Sequence, residues 1–233
     1  MIEYKYYIVK SLTVDSTSAL IFNCPGVGTK KYPRDFYDRM ATTPVQTHSI
    51  NVREVDNVWQ NDFDDTDALV TFKANVSVGV RTADCVPVLM SAPDVCGVAA
   101  VHAGWKGTLG GIIDRTLDML EAEGADLSKL KVAFGPSICP DCYEVDRDLA
   151  DKFIEAGFGE FVSWPDGDSG KPHLDLQGIN IERLRRRGVP KENIEPSEEC
   201  TCHTKDAEGN YVYPSYRRDK TTDRILSAIM LMR

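Results

Sequence analysis

Four short apolar runs, Ala68–Phe72, Val76–Val80, Val86–Met90 and Val95–Val101, follow one another, each bounded by charged residues, glycine or proline. That punctuation marks strands, and no run approaches the roughly 18 apolar residues that cross a bilayer. The opening MIEYKYYIVKS alternates polar and apolar like a further strand, and Lys131–Phe134 reads as another. A helix is expected through GTLGGIIDRTLDMLEAEG, with Ile112, Ile113, Leu117 and Leu120 on one face and Gly124 as its stop. Two more are expected over Asp146–Ala156 and Asp175–Arg187, the second ending at Gly188 before Pro190. The chain closes on a last apolar element, ILSAIMLM. This order predicts an α/β fold, one domain over residues 1–233, with mixed β-sheets flanked by helices.

A net charge of -9 and a pI near 5.0 argue against a general grip on nucleic acid or on an anionic membrane. A phosphate-bearing ligand would need a local cluster of Arg or Lys. The N-terminus lacks the basic start, unbroken apolar run and cleavage site of a signal peptide, so a cytoplasmic protein is expected. Seven cysteines without a secretion signal fit reduced thiols or metal ligands better than a disulfide framework.

With only four histidines, position carries information. His48 lies in PVQTHSINV, at a turn near a strand, and Cys85 in VGVRTADCVPVLM, where RTAD interrupts two apolar segments. His102 follows AAV and precedes AGWKG, at a strand end opening into a glycine-flanked loop. Strand ends and their loops are where a rigid scaffold presents reactive groups. Two imidazoles and a thiolate suit zinc or copper, and three protein ligands leave a fourth position for water or substrate. Asp84, beside Cys85, is placed to orient a ligand from behind. The same residues also fit two other readings: ordinary packing, or Cys85 as a thiolate nucleophile with His48 or His102 as its base.

Cys139 and Cys142 form a C-x-x-C pair, and Cys200, Cys202 and His203 form a second compact group. Together they offer ligands for a closed structural zinc site, which leaves open a non-enzymatic, zinc-stabilised binding module. Arg81, Lys106, Arg217 and Arg218 flank the cysteine, histidine and C-terminal loops, and are candidates to clamp phosphate. HAGWKGTLGG is not a G-x-x-x-x-G-K-[ST] loop, so nucleoside triphosphates are not indicated. Trp105, between Gly104 and Lys106, reads as packing rather than a base platform.

RTADCVPVLM, AAVHAGWKGTLGGI, GPSICPDCYEV, HLDLQGINIERLRRRGV, EECT and PSYRRDKTTDR together resemble the laccase-domain family, known both as multicopper polyphenol oxidases and as purine nucleoside phosphorylases. The resemblance runs from about Gln46–His48 to the C-terminus. It implies a single α/β domain with zinc held at His48, Cys85 and His102, copper being the older assignment. It also implies phosphorolysis of adenosine, inosine, guanosine and methylthioadenosine, with adenosine deamination; a monomer or homodimer is expected. Laccases proper use several copper centres and many more histidines than four, which favours the purine reading. Two departures stand out. FNCPGVGTKKYPRDF replaces the S-T-R-x-G-G-V-S stretch usual before His48, with Lys30 or Lys31 as the replacement basic residue. Lys106 stands where Arg is common, which keeps charge but loses the bidentate fork.

Overall fold

The computed structural model describes residues 7–14, 17–23, 41–57, 60–167 and 170–231; Lys30 and Lys31 lie outside them. A six-stranded sheet forms the centre. Its members are β3 (Val52–Glu54), β4 (Ala68–Thr71), β6 (Val86–Ala92), β7 (Gly97–Ala103), β8 (Lys131–Phe134) and β11 (Ile194–Glu195). They run in the order β11-β8-β6-β7-β4-β3; the outer pairs are parallel and the inner ones antiparallel, so the sheet is mixed. A four-stranded antiparallel sheet packs beside it, in the order β1-β2-β12-β5, from β1 (Tyr7–Val14), β2 (Thr17–Asn23), β5 (Ser77–Thr82) and β12 (Ile225–Leu231). A small hairpin pairs β9 (Val162–Ser163) with β10 (His173–Leu174).

Side chains alternate across a strand, and here both faces are covered. Val86, Val88 and Met90 of β6 and Ala99, Val101 and Ala103 of β7 face the helices. Leu89, Val98 and Ala100 face the second sheet, meeting Val78 and Val80 of β5 and Ile229 and Leu231 of β12. Every residue of β6 and β7 is buried, which is why these strands read as unbroken apolar runs.

The helices are α1 (Trp105–Gly110), α2 (Ile112–Ala122), α3 (Arg147–Phe153), α4 (Leu176–Arg186) and the short α5 (Tyr216–Asp219). The single helix expected through residues 107–124 is in fact two. Gly111 sits at φ 84°, caps α1 and starts α2 in the left-handed region where glycine carries no Cβ penalty. Beyond it Ile112, Ile113, Leu117 and Leu120 reach the core on one face. The helix expected over Asp146–Ala156 ends its α-form at Phe153, and a wider turn, Ile154–Phe158, follows around Gly157 at φ 81°. The Asp175 side chain caps α4, accepting from the Gly178 N–H at 2.8 Å. Among the described residues no helix is long and apolar enough to cross a membrane.

Candidate metal centre

Three neighbouring strands end at one place on the central sheet. In the β6–β7 hairpin Val86 pairs with Ala103 and Pro87 with His102, so Cys85, one step ahead of β6, comes beside Gly104. On the other flank Ala68 pairs with Val101, and the His102 N–H donates to the Asp67 carbonyl at 2.8 Å. By the strand alternation Asp67, Cys85 and His102 fall on the same face as Leu69, Leu89 and Ala100. Residues far apart in sequence are thereby brought to one spot by register alone.

Asp67 organises the fourth arm. Its buried carboxylate accepts from the backbone N–H groups of Thr47 (3.1 Å), His48 (3.1 Å) and Ser49 (2.7 Å), and from the Ser49 hydroxyl (2.9 Å). This folds the 47–49 turn over the sheet and holds His48 at φ 64°, an uncommon backbone for a residue other than glycine. The same carboxylate takes a 2.6 Å hydrogen bond from Nδ1 of His102. One carboxylate thus orients both imidazoles. Asp84, expected in that role, turns the other way: it accepts from the Thr201 hydroxyl (2.7 Å) and the Arg217 N–H (2.6 Å).

One ligand atom from each of His48, Cys85 and His102 lies within 4.8 Å of the others. Nε2 of His48 is 3.7 Å from the Cys85 sulfur, and the two imidazole rings meet edge-on at 4.8 Å. Space for this convergence comes from Gly104, where a Cβ would stand 2.7 Å from the His48 ring and 3.1 Å from the Cys85 sulfur. The electrostatics suit a cation. Burial pushes the Cys85 thiol up, but the charge of His102 and hydrogen bonds from His102 and His48 outweigh it and bring the thiol down to about 6. Burial alone would depress His102; the Cys85 thiolate and Asp67 raise it to about 9. Asp67 is held at about 2: burial opposes ionisation, and the His102 and Ser49 donors overcome it. Two imidazoles and a low-pKa thiolate, with the remote nitrogen of His102 already engaged, are a donor set that fits a metal ion.

The four basic candidates are placed differently. The guanidinium of Arg217 lies over the Tyr143 ring at 5.2 Å and donates to the Glu144 carbonyl at 2.9 Å. Burial and the Cys85 charge push the Tyr143 phenol up to about 12, with Arg217 working against them. Arg81 donates to the Thr43 hydroxyl (2.8 Å), and its backbone is bonded on both sides to Gln46, just ahead of His48. Lys106 is exposed on α1, its ammonium 5.6 Å from the centroid of Trp105, which packs against the helical side of the core. Arg218 is committed elsewhere. Its N–H groups go to Asp219 and to the carbonyls of Thr201, Cys202 and Tyr213.

Residues 34–232 match the family of multi-copper polyphenol oxidoreductase laccases. The chain belongs to that family. The chain is 36% identical over 191 residues to a purine nucleoside phosphorylase of Deinococcus radiodurans, covering 81% of this chain and 69% of that protein. It is 37% identical over 166 residues to a purine nucleoside phosphorylase of Aquifex aeolicus, 71% of each. It is also 36% identical over 167 residues to adenosine deaminase RL5 from an unknown prokaryotic organism, covering 68% of this chain and 64% of that protein. The chain therefore spans a little under two thirds of the deaminase's length. The fold is that of YfiH from Bacillus licheniformis (TM-score 0.78, 26% identity, 92% of each chain) and YlmD from Geobacillus stearothermophilus (TM-score 0.76, 26% identity, 94% of this chain and 93% of that one). Membership of a laccase-like family and the convergent His/Cys donors both point to a bound metal ion.

Proposed function

We propose that the chain is a zinc enzyme acting on purine nucleosides. It would convert adenosine, inosine, guanosine or methylthioadenosine with inorganic phosphate into free base and pentose 1-phosphate, and deaminate adenosine to inosine. The observation that carries this reading is the His48, Cys85 and His102 donor set, braced by Asp67, in a chain whose relatives are named for these two reactions. Three donors leave one tetrahedral position for water or substrate, the pattern of catalytic zinc. When bound, the ion supplies Lewis acidity at that position.

In phosphorolysis a phosphate oxygen bonds to the anomeric carbon as the glycosidic bond breaks, and the purine leaves with the electron pair. The chain's part is to hold phosphate and substrate in line. Arg217, stacked over Tyr143 and tied through its N–H to Asp84, the residue before Cys85, is the leading phosphate ligand, with Arg81 and Lys106 from the flanking segments. Arg218, with its donors spent on Asp219 and three carbonyls, serves the loop instead. Oxidation of phenols by several coppers fits poorly. Of four histidines, His173 is bonded to the Pro140 carbonyl and His203 lies in a cysteine cluster, leaving two for the centre.

Incubation with adenosine, with and without phosphate, tests the reading by product chromatography. Adenine formed only with phosphate supports phosphorolysis, and inosine in either case supports deamination. Turnover of neither sinks the purine assignment. The low thiol pKa of Cys85 beside His102 and Asp67 favours one second reading, a cysteine hydrolase with a thiolate–imidazolium pair. Zinc bound by the purified chain and lost from this centre in Cys85→Ala favours the metalloenzyme. Activity of a metal-stripped chain, abolished by alkylating Cys85, favours the hydrolase.

A further inference from the structure

A second constellation lies outside this centre. Cys139 precedes, and Cys142 ends, a single 3-10 turn, Pro140–Cys142. Cys200 and His203 lie on the later segment, where Thr204 N–H closes back on the Cys200 carbonyl at 3.1 Å. The two segments are stitched together: Ser137 bridges Cys200 in parallel, and Thr201 N–H donates to the Ser137 carbonyl at 3.0 Å. One ligand atom from each of Cys139, Cys142, Cys200 and His203 lies within 4.8 Å of the rest.

We propose that Cys139, Cys142, Cys200 and His203 form a closed, structural zinc site. The spacing fits. With Zn–S near 2.3 Å and Zn–N near 2.05 Å, a tetrahedron puts sulfur and nitrogen about 3.6 Å apart. Nδ1 of His203 lies 3.2 Å from the Cys142 sulfur and 3.7 Å from that of Cys139. The Cys139 N–H points at the Cys200 sulfur at 3.4 Å, the support a metal-bound thiolate uses to spread its charge. Four protein donors complete the tetrahedron and leave no place for water, so this ion holds structure rather than performing chemistry. Cys202 is outside the set; its carbonyl accepts from Arg218. A disulfide would consume two of the three thiols and strand the third beside His203, and the three thiols are free.

The site's neighbours define what it holds. Ile138, next to Cys139, donates its N–H to the Asp84 carbonyl at 2.9 Å, and Thr201, next to Cys200, donates its hydroxyl to the Asp84 carboxylate at 2.7 Å. Both anchors of the zinc loop therefore close on the residue just before Cys85, which is itself held at φ 91°. The structural ion fixes the loop that presents the thiolate of the first centre.

Metal quantification on the full chain, purified without added metal and stripped of loose ions by gel filtration, tests the site. It is independent of whatever reaction the first centre performs. The expected content is about two zinc ions in the native chain, about one in Cys85→Ala and about one in Cys142→Ser. Cobalt exchanged into Cys85→Ala should give intense thiolate charge-transfer absorption, a readout that needs no change in the proposed ligands. Cys85→Ala purified free of zinc and blind to cobalt would overturn the site. So would a native-chain mass two hydrogen atoms short, with the disulfide mapped among Cys139, Cys142 and Cys200.

Discussion

Nδ1 of His102 lies 2.6 Å from Oδ1 of Asp67, with both side chains buried at the end of adjacent strands. The bond decides which nitrogen the ring offers. With Nδ1 taken, Nε2 faces His48 and Cys85, and the charge of Asp67 makes that nitrogen a better donor. Because the same carboxylate also gathers the N–H groups of residues 47–49, it sets the position of His48 as well.

Asp67→Asn should therefore weaken metal binding more than its distance from the ion suggests. The expected loss is about 10- to 100-fold in affinity, read by competition with a chromophoric chelator. Unchanged affinity in a folded variant would show that the imidazoles are positioned by something else.

In the metal-free chain Cys85 should be alkylated as a thiolate far below the usual thiol range. Its pKa of about 6 means the iodoacetamide rate climbs as pH rises through 6 and levels off above it. Below 6 the rate should fall about tenfold per pH unit as the thiol takes up its proton, against an ordinary midpoint near 8.5. His102→Ala should move the midpoint upward, and added zinc should suppress the reaction at every pH. Peptide mapping after timed quenching checks all three.

Gly104→Ala puts a methyl group into the gap between His48 and Cys85. His48 is exposed and free to swing outward, so the fold should lose less than about 1 kcal/mol. Metal affinity should fall at least about tenfold as the third donor is displaced. Parallel thermal melts and metal titrations separate the two effects.

The adjacent arginines should behave differently. On the proposed reading, Arg217→Ala should raise KM for phosphate by about tenfold, since it would remove the charge-assisted contact assigned to it there. Arg218→Ala leaves the carbonyls of Thr201, Cys202 and Tyr213 without their donor and should cost about 1–3 kcal/mol of stability. Phosphate-dependence assays and denaturant melts on both variants make the comparison.

The strands of the central sheet were legible in the sequence because β6 and β7 are covered on both faces and so read as continuous apolar runs. The break at Gly111 was not: two successive glycines inside a helical pattern look tolerable until the backbone turns left-handed. The three donors stood out as rare residues at strand ends. Asp67 did not, being one of four aspartates in DFDDTDALV, and its role depends on β4 lying beside β7, which no local pattern encodes. The signal available was an acidic residue directly ahead of a wholly buried strand. Arg217 and Arg218 are likewise indistinguishable in SYRRD; helix α5 sends one toward Tyr143 and the other toward the 201–213 loop.

The β6–β7–β4 register has one further consequence. Cys85, His102 and Asp67 are carried by the middle of the sheet, while the basic side chains come from an edge strand of the second sheet and short helices around it. Natural variation can therefore rework the rim, lengthening or recharging the loops, without re-inventing the centre. Chemistry travels with the scaffold, and selectivity for whatever the centre meets is free to drift with the rim.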